Sequence, residues 1–165
     1  MVVMKNLCLV ICFLYITLSG CHFFGPRDLA PLNMITDSNE LKDLNGVWNA
    51  TGITYSMIKR EKYKIDSVKL ILGKDSTFEG VNLPDCLSDQ FGEAVKHQLL
   101  SATGIWRVEK MGNEWKMSME FDKGQLFKEK SAFDFDLYRS GKTISMSTYL
   151  GDPDEVKLLE FEKVN

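Results

Sequence analysis

The sequence predicts an all-β fold: an eight-stranded antiparallel meander barrel with one short inserted helix. Three observations carry this expectation. Several segments alternate apolar and polar residues with period two, which gives a strand one buried and one wet face. In Trp115-Lys116-Met117-Ser118-Met119-Glu120-Phe121 and Phe133-Asp134-Phe135-Asp136-Leu137 the alternation is unbroken. Turn residues separate the segments at Gly73-Lys74-Asp75-Ser76, Met111-Gly112-Asn113, Ser140-Gly141-Lys142 and Gly151-Asp152-Pro153-Asp154. Links this short force antiparallel neighbours, because a parallel crossover needs a dozen or more residues.

The strands are expected in order over residues 46–57, 62–72, 77–83, 104–110, 114–122, 132–139, 142–150 and 155–164. One stretch breaks the rhythm. Between Pro84 and Ala102, Leu87, Phe91, Val95 and Leu99 recur every four residues, the spacing of an amphipathic helix. Asp85 or Ser88 would cap it. Eight meandering strands with one apolar face either stack as a sandwich or close on themselves and remove their edges. A closed eight-strand barrel either fills with side chains or holds one small ligand.

The first twenty residues belong to a different kind of segment. Lys5 precedes an apolar run from Leu7 to Leu18, and Ser19-Gly20 follow. A basic start, about a dozen apolar residues and a small-residue cleavage site describe a secretory signal peptide. The run stops short of the roughly 20 residues a spanning helix needs. Leu18-Ser19-Gly20-Cys21 resembles the lipobox of bacterial lipoproteins. The resemblance implies lipid on the Cys21 thiol, removal of residues 1–20 and acylation of the new amino terminus. Several acyl chains give the stable anchoring that one chain cannot. Residues 21–43 then read as the lipidated cysteine and a flexible tether, spanning on the order of 25 Å, with one helical turn at 38–44. His22 in place of Asp leaves out the inner-membrane retention signal of enteric bacteria, which implies an outer-membrane location in the cell envelope. Residues 44–165 remain for the barrel, the usual size of one domain.

Composition narrows the function. The chain has 20 basic and 23 acidic residues, and losing Lys5 makes it one unit more acidic. Nucleic-acid binding needs a basic patch and is not expected. Cys8 and Cys12 leave with the signal and Cys21 is consumed, so Cys86 alone remains. No internal disulfide and no structural zinc site are expected.

Leu44-Asn45-Gly46-Val47-Trp48 resembles the Gly-x-Trp opening of lipocalins and bacterial lipocalin-like lipoproteins. The resemblance implies that Trp48 closes one end of the barrel. A Thr-Asp-Tyr motif is not clear in mid-chain, and the helix falls between strands rather than after the last one. Both departures leave the lipocalin subfamily and its ligand undetermined. The run Tyr149–Asp154 with Phe161–Val164 is similar to the ending of small bacterial envelope proteins that bring no function with them.

Catalytic constellations fare poorly. Cys86 and His97 would stand about three helical turns, roughly 16 Å, apart on the expected helix, too far for proton transfer. Asp152 and Asp154 are explained by a Gly-Asp-Pro-Asp hairpin turn without calcium, since Pro fixes φ and Asp bonds its own backbone. Asp134 and Asp136 alternate with apolar residues as a wet face does. No phosphate loop, metal-helix signature or nucleophile elbow is present. The protein is therefore read as non-enzymatic, without cofactor or metal. The set expected to face inward is Trp106, Trp115, Met117, Met119, Phe133, Phe135 and Met146. Methionine adapts to irregular apolar cavities. Such a lining either holds a small hydrophobic molecule or fills the barrel completely. The first alternative makes the chain a ligand-binding module. The second makes it a protein-interaction module, such as an assembly factor, inhibitor or immunity protein of the envelope.

Overall fold

Eight strands, each hydrogen-bonded antiparallel to the next, close into a barrel in the computed structural model. The structure describes residues 33–89, 92–152 and 157–164, all within a unit that begins at Pro31. A two-residue strand β1 (Asn33–Met34) comes first, then a 3-10 turn at Ser38–Leu41. The barrel strands are β2 (Gly46–Ala50), β3 (Lys69–Leu72), β4 (Thr77–Pro84), β5 (Leu99–Met111), β6 (Glu114–Phe121), β7 (Ser131–Ser140), β8 (Thr143–Tyr149) and β9 (Leu158–Lys163). β9 returns to β2, pairing Ala50 with Phe161 and Trp48 with Lys163, and this seam closes the ring. Among the described residues no helix is long and apolar enough to cross a membrane.

The alternation places side chains as expected. Inward residues of neighbouring strands fall opposite one another: Val108, Met117 and Phe135 in one row, Trp106, Met119 and Phe133 in the next. Outward residues make cross-strand ion pairs, such as Lys116 with Asp136 at 2.8 Å. The charged outer faces of β5 and β6 are further linked where Arg107 meets Glu109 and Glu120.

The helix is present but lies elsewhere. α1 (Gly52–Arg60) follows β2 directly, where the first strand was expected to run on to Met57. Thr54, Met57 and Ile58 are buried, the three-and-four spacing of a helix face. The stretch 84–102 is not a helix. It holds a 3-10 turn at Asp85–Ser88, then an irregular loop, and from Leu99 the start of β5. Gly92 and His97 both adopt positive φ there, which an α-helix does not accommodate. Of the four apolar residues that suggested it, Leu87 is buried, Val95 is 62% exposed and Leu99 belongs to a strand, while Phe91 lies outside the described residues. The second strand is shorter than expected, with residues 62–68 forming a loop ahead of β3.

The tether boundary also moves. Residues 33–43, expected to be flexible, are folded against the barrel. β1 pairs with β7 at Asn33–Arg139 and Met34–Tyr138. The Ile35 N–H donates to the Leu137 carbonyl at 3.0 Å, and the Ile35 carbonyl accepts the Trp115 N–H at 3.1 Å. Ile35 is thus wedged between β7 and β6 and is buried. Glu40 accepts from Arg139 Nε at 2.8 Å, and Asp43 is bound by Lys163. Those contacts shut the end of the barrel that carries the β5–β6 and β7–β8 hairpins. Residues 1–32, which hold the expected signal, Cys21 and the first part of the tether, lie outside the described residues.

Candidate functional site

Met117, Met119 and Met146 have no exposed surface, and Phe135 has 1%. A side chain with no accessible surface touches no void large enough for water, so the middle of the barrel is close-packed here. Trp48, Leu137, Leu159 and Phe161 are packed in the same way at 0%. Four of the seven expected lining residues therefore form solid core. The other three diverge from them. The Trp106 indole donates to the Gly73 carbonyl at 3.1 Å and so lies over the β3–β4 turn. The Trp115 indole donates to the Thr36 carbonyl, with the Lys110 ammonium 6.0 Å from its ring. Phe133 joins an aromatic cluster with Phe121 and Phe127 at the opposite end.

That opposite end carries two surface clefts above the buried Leu83, Leu87, Leu126, Phe127 and Leu150. A cleft of about 490 Å³ is lined by Leu87, Phe127, Phe133, Tyr149 and Leu150, with Ser88, Asp89, Ser131, Ala132 and Gly151 around them. A second cleft of about 310 Å³ lies between Ser101–Thr103 and the loop Asp122–Leu126. The strand register explains the first one. β7 and β8 pair only from Asp136–Ser147 to Ser140–Thr143. Beyond Asp136, β7 continues to Ser131 along β6, while β8 continues to Tyr149 along β9. Continuing the β7–β8 register would pair Asp134 with Tyr149, Phe133 with Leu150 and Ala132 with Gly151. Those strands have separated instead, and the cleft occupies the split.

A polar cluster lies beside this end. The Tyr63 hydroxyl donates to Asp85 Oδ1 at 2.6 Å and accepts the Cys86 N–H at 3.1 Å. The second Asp85 oxygen accepts the Lys96 N–H at 2.7 Å. The His97 ring meets Tyr63 edge-on at 5.7 Å, and its Nδ1 lies 2.7 Å from the Glu61 carbonyl. Cys86 and His97 thus share a neighbour, which the expected helix would have kept from happening. Burial, and then the charges of Asp85 and Glu61, push the Cys86 thiol up to about 11. A buried, protonated thiol is a poor nucleophile, so the cluster holds the loop in place instead of activating sulfur.

On the outer face, the buried Glu160 carboxylate accepts from Thr51 and Tyr138, while Thr54 Oγ1 donates to the Glu160 carbonyl at 2.8 Å. These bonds fasten the start of α1 to β9. Among the described residues no three His, Cys, Asp or Glu side chains are grouped to hold a metal ion. Asp136 is engaged by Lys116, and Asp154 lies outside the described residues.

Comparison with protein-family models, with curated proteins and with solved structures gives no match.

The split is not a local sequence pattern. It depends on where β8 leaves β7, a non-local register. The one local hint was Phe133, an apolar residue near the start of its strand, after the polar loop 128–130.

Proposed function

We propose that this chain is a lipid-anchored protein of the bacterial cell envelope, non-enzymatic, whose solid barrel serves as a protein-interaction module. The observation that carries the reading is the close-packed interior. Met117, Met119, Phe135 and Met146 fill the space a stored ligand would need. Catalysis finds no support in the one thiol described, which is buried and protonated. The anchor rests on the likeness of Leu18-Ser19-Gly20-Cys21 to a lipobox. The described chain begins with Asn33 paired to Arg139, at the shut end of the barrel. Loops on a rigid scaffold are where binding residues concentrate.

The hydrophobic-ligand reading moves from the interior to the surface cleft. A cleft of about 490 Å³, to which the half-buried Phe133 and the exposed Tyr149 contribute apolar surface, falls within the usual range for small-molecule sites. Native mass spectrometry of the protein purified from its own envelope separates the two readings. The interaction module is expected to arrive empty and with a stoichiometric protein partner. A retained small hydrophobic molecule and no partner would favour the ligand site. For the anchor, Cys21→Ser is expected to move the protein out of the membrane fraction; unchanged partitioning would remove the lipoprotein reading.

A further inference from the structure

We propose that the split between β7 and β8 is a docking slot for a short extended segment of a partner protein, which adds to the sheet as a strand. The proposal deepens the interaction-module reading and rests on it. β7 is bordered by two splits. At the shut end, β6 parts from β7 and the chain's own residues 33–35 fill the gap, with Ile35 bonded to Leu137 on one side and to Trp115 on the other. At the opposite end β8 parts from β7, and among the described residues no strand fills that gap, although Gly92 packs on the Leu150–Gly151 peptide at its β8 side.

The main-chain directions follow from alternation along a strand. The Leu137 carbonyl points to β1, so Asp136 and Tyr138 turn their N–H and C=O toward β8. Asp134 and Ala132, two and four residues back from Asp136, turn theirs the same way, into the split. On the other side the Leu150 N–H bonds to Lys157 across from β9, so the main chain of Tyr149 faces the split. Ala132 and Asp134 are exposed, and Tyr149 is 41% exposed. An extended backbone is the group that satisfies two facing sheet edges at once.

The side chains specify the occupant. Asp134 and Tyr149, partners in the extended register, flank one outward position of an inserted strand. A Lys or Arg there meets a carboxylate on one side and an aromatic ring on the other. Asp89, on the rim, is the charged residue among those lining the cleft and is also acidic. The inward position next to that basic residue, on the side away from the closed Asp136–Ser147 pair, faces the half-buried Phe133 with Leu150 buried opposite. The slot therefore takes a segment in which a basic residue is followed or preceded by an apolar one.

Two measurements test this on the whole purified chain in detergent. Amide hydrogen exchange is expected to show Ala132, Asp134 and Tyr149 exchanging at least a hundredfold faster than the ladder amides of Phe133 and Phe135. Ladder-like protection of those three in the free protein would overturn the slot. A displayed library of random seven-residue peptides is expected to enrich sequences with adjacent basic and apolar residues that protect the same three amides. No enrichment, or enriched peptides that protect another face, would overturn it. Ala132→Pro removes a slot-facing N–H without touching the β6 ladder, and Asp134→Lys reverses the charge. Each is expected to weaken the selected peptides at least tenfold with an unchanged thermal midpoint; retained binding in Asp134→Lys counts against the proposal if the proline variant does not fold. A dimer of this chain with the slot amides protected assigns the slot to a second copy and sinks the foreign-partner claim. A partner cross-linked elsewhere while the slot amides stay unprotected sinks the slot and leaves the interaction module standing.

Discussion

The Trp48 indole N–H donates to the Leu44 carbonyl at 2.9 Å, with the ring completely buried. One side chain thus fills the barrel's shut end and ties down the segment that enters it. Trp48→Phe keeps most of the volume and loses the bond, so a loss of about 1–2 kcal/mol is expected, including the unpaired carbonyl. Trp48→Ala is expected to cost about 3–5 kcal/mol through the cavity it leaves. Urea unfolding of both variants measures the difference; equal losses would mean that the indole bond, not the ring volume, dominates.

Ile35 makes the entering segment part of the barrel. Its side chain is 1% exposed and both its backbone groups are bonded, to different strands. Ile35→Ala is expected to lower stability by about 2–4 kcal/mol. Ile35→Pro removes the N–H that Leu137 accepts and is expected to detach the segment. Limited proteolysis reads this directly, with faster cleavage in residues 36–43 of the proline variant than of the parent.

Stability is expected to fall on the alkaline side. Burial, followed by the hydrogen bond to Asp85, raises Tyr63 above the usual phenol value of 10.0. Burial and the bond to Glu160 do the same for Tyr138. The folded chain keeps these protons at pH values where the unfolded chain has released them. The unfolded state then binds fewer protons, so stability is whole below about pH 10 and decreases as pH rises above it. Cys86, raised from 9.0 to about 11, adds a loss of the same sign beginning near pH 9. Tyr63→Phe and Tyr138→Phe are expected to be less stable at pH 7 by about 1–2 kcal/mol, each leaving a buried carboxylate short of a donor. Both are expected to show a shallower decline between pH 9 and 11 in urea titrations, lysine deprotonation being common to all three proteins.

The same Cys86 is expected to resist alkylation. It is 1% exposed and its thiol is held up to about 11 by burial first. At pH 7.5 iodoacetamide should modify it roughly a hundredfold more slowly in the folded chain than in urea. Peptide mass mapping of the Cys86 site checks this. Comparable rates would mean that the loop around Asp85 opens readily.

Much of the barrel was legible because its strands are local patterns. Residues 114–121 and 131–140 alternate cleanly, and the glycines at 112 and 141 mark tight turns with φ of 64° and 61°. The helix was misplaced for a physical reason. Ile53, Thr54 and Tyr55 favour strands in isolation, and the docking of Thr54 on the Glu160 backbone overrides that preference. The four-residue spacing of Leu87, Phe91, Val95 and Leu99 was accidental, and Gly92 within it adopts a left-handed φ of 67°. β1 is two residues long and carries no periodicity to read. Met117, Met119, Phe135 and Met146 are buried, but the volume and packing around them follow from closure of the whole ring and are not written in any one strand.

Gly104 shows how tightly that closure is packed. It stands between Phe78 on β4 and Phe121 on β6 in one cross-strand row. The two rings meet over it at 4.9 Å and 75°, an edge-to-face contact possible only where the middle residue has no side chain. A Cβ at this position would lie 1.9 Å from the Glu120 carbonyl oxygen and 2.7 Å from the Phe78 ring. The first neighbour is backbone and cannot rotate away, so β5 and β6 would have to separate. Gly104→Ala is therefore expected to cost about 3 kcal/mol or more, at the severe end for a single methyl group. It should also weaken the near-ultraviolet circular dichroism of the aromatic cluster. An alanine variant with parental stability would mean that β5 and β6 yield at this row, and that the core is looser than its packing implies.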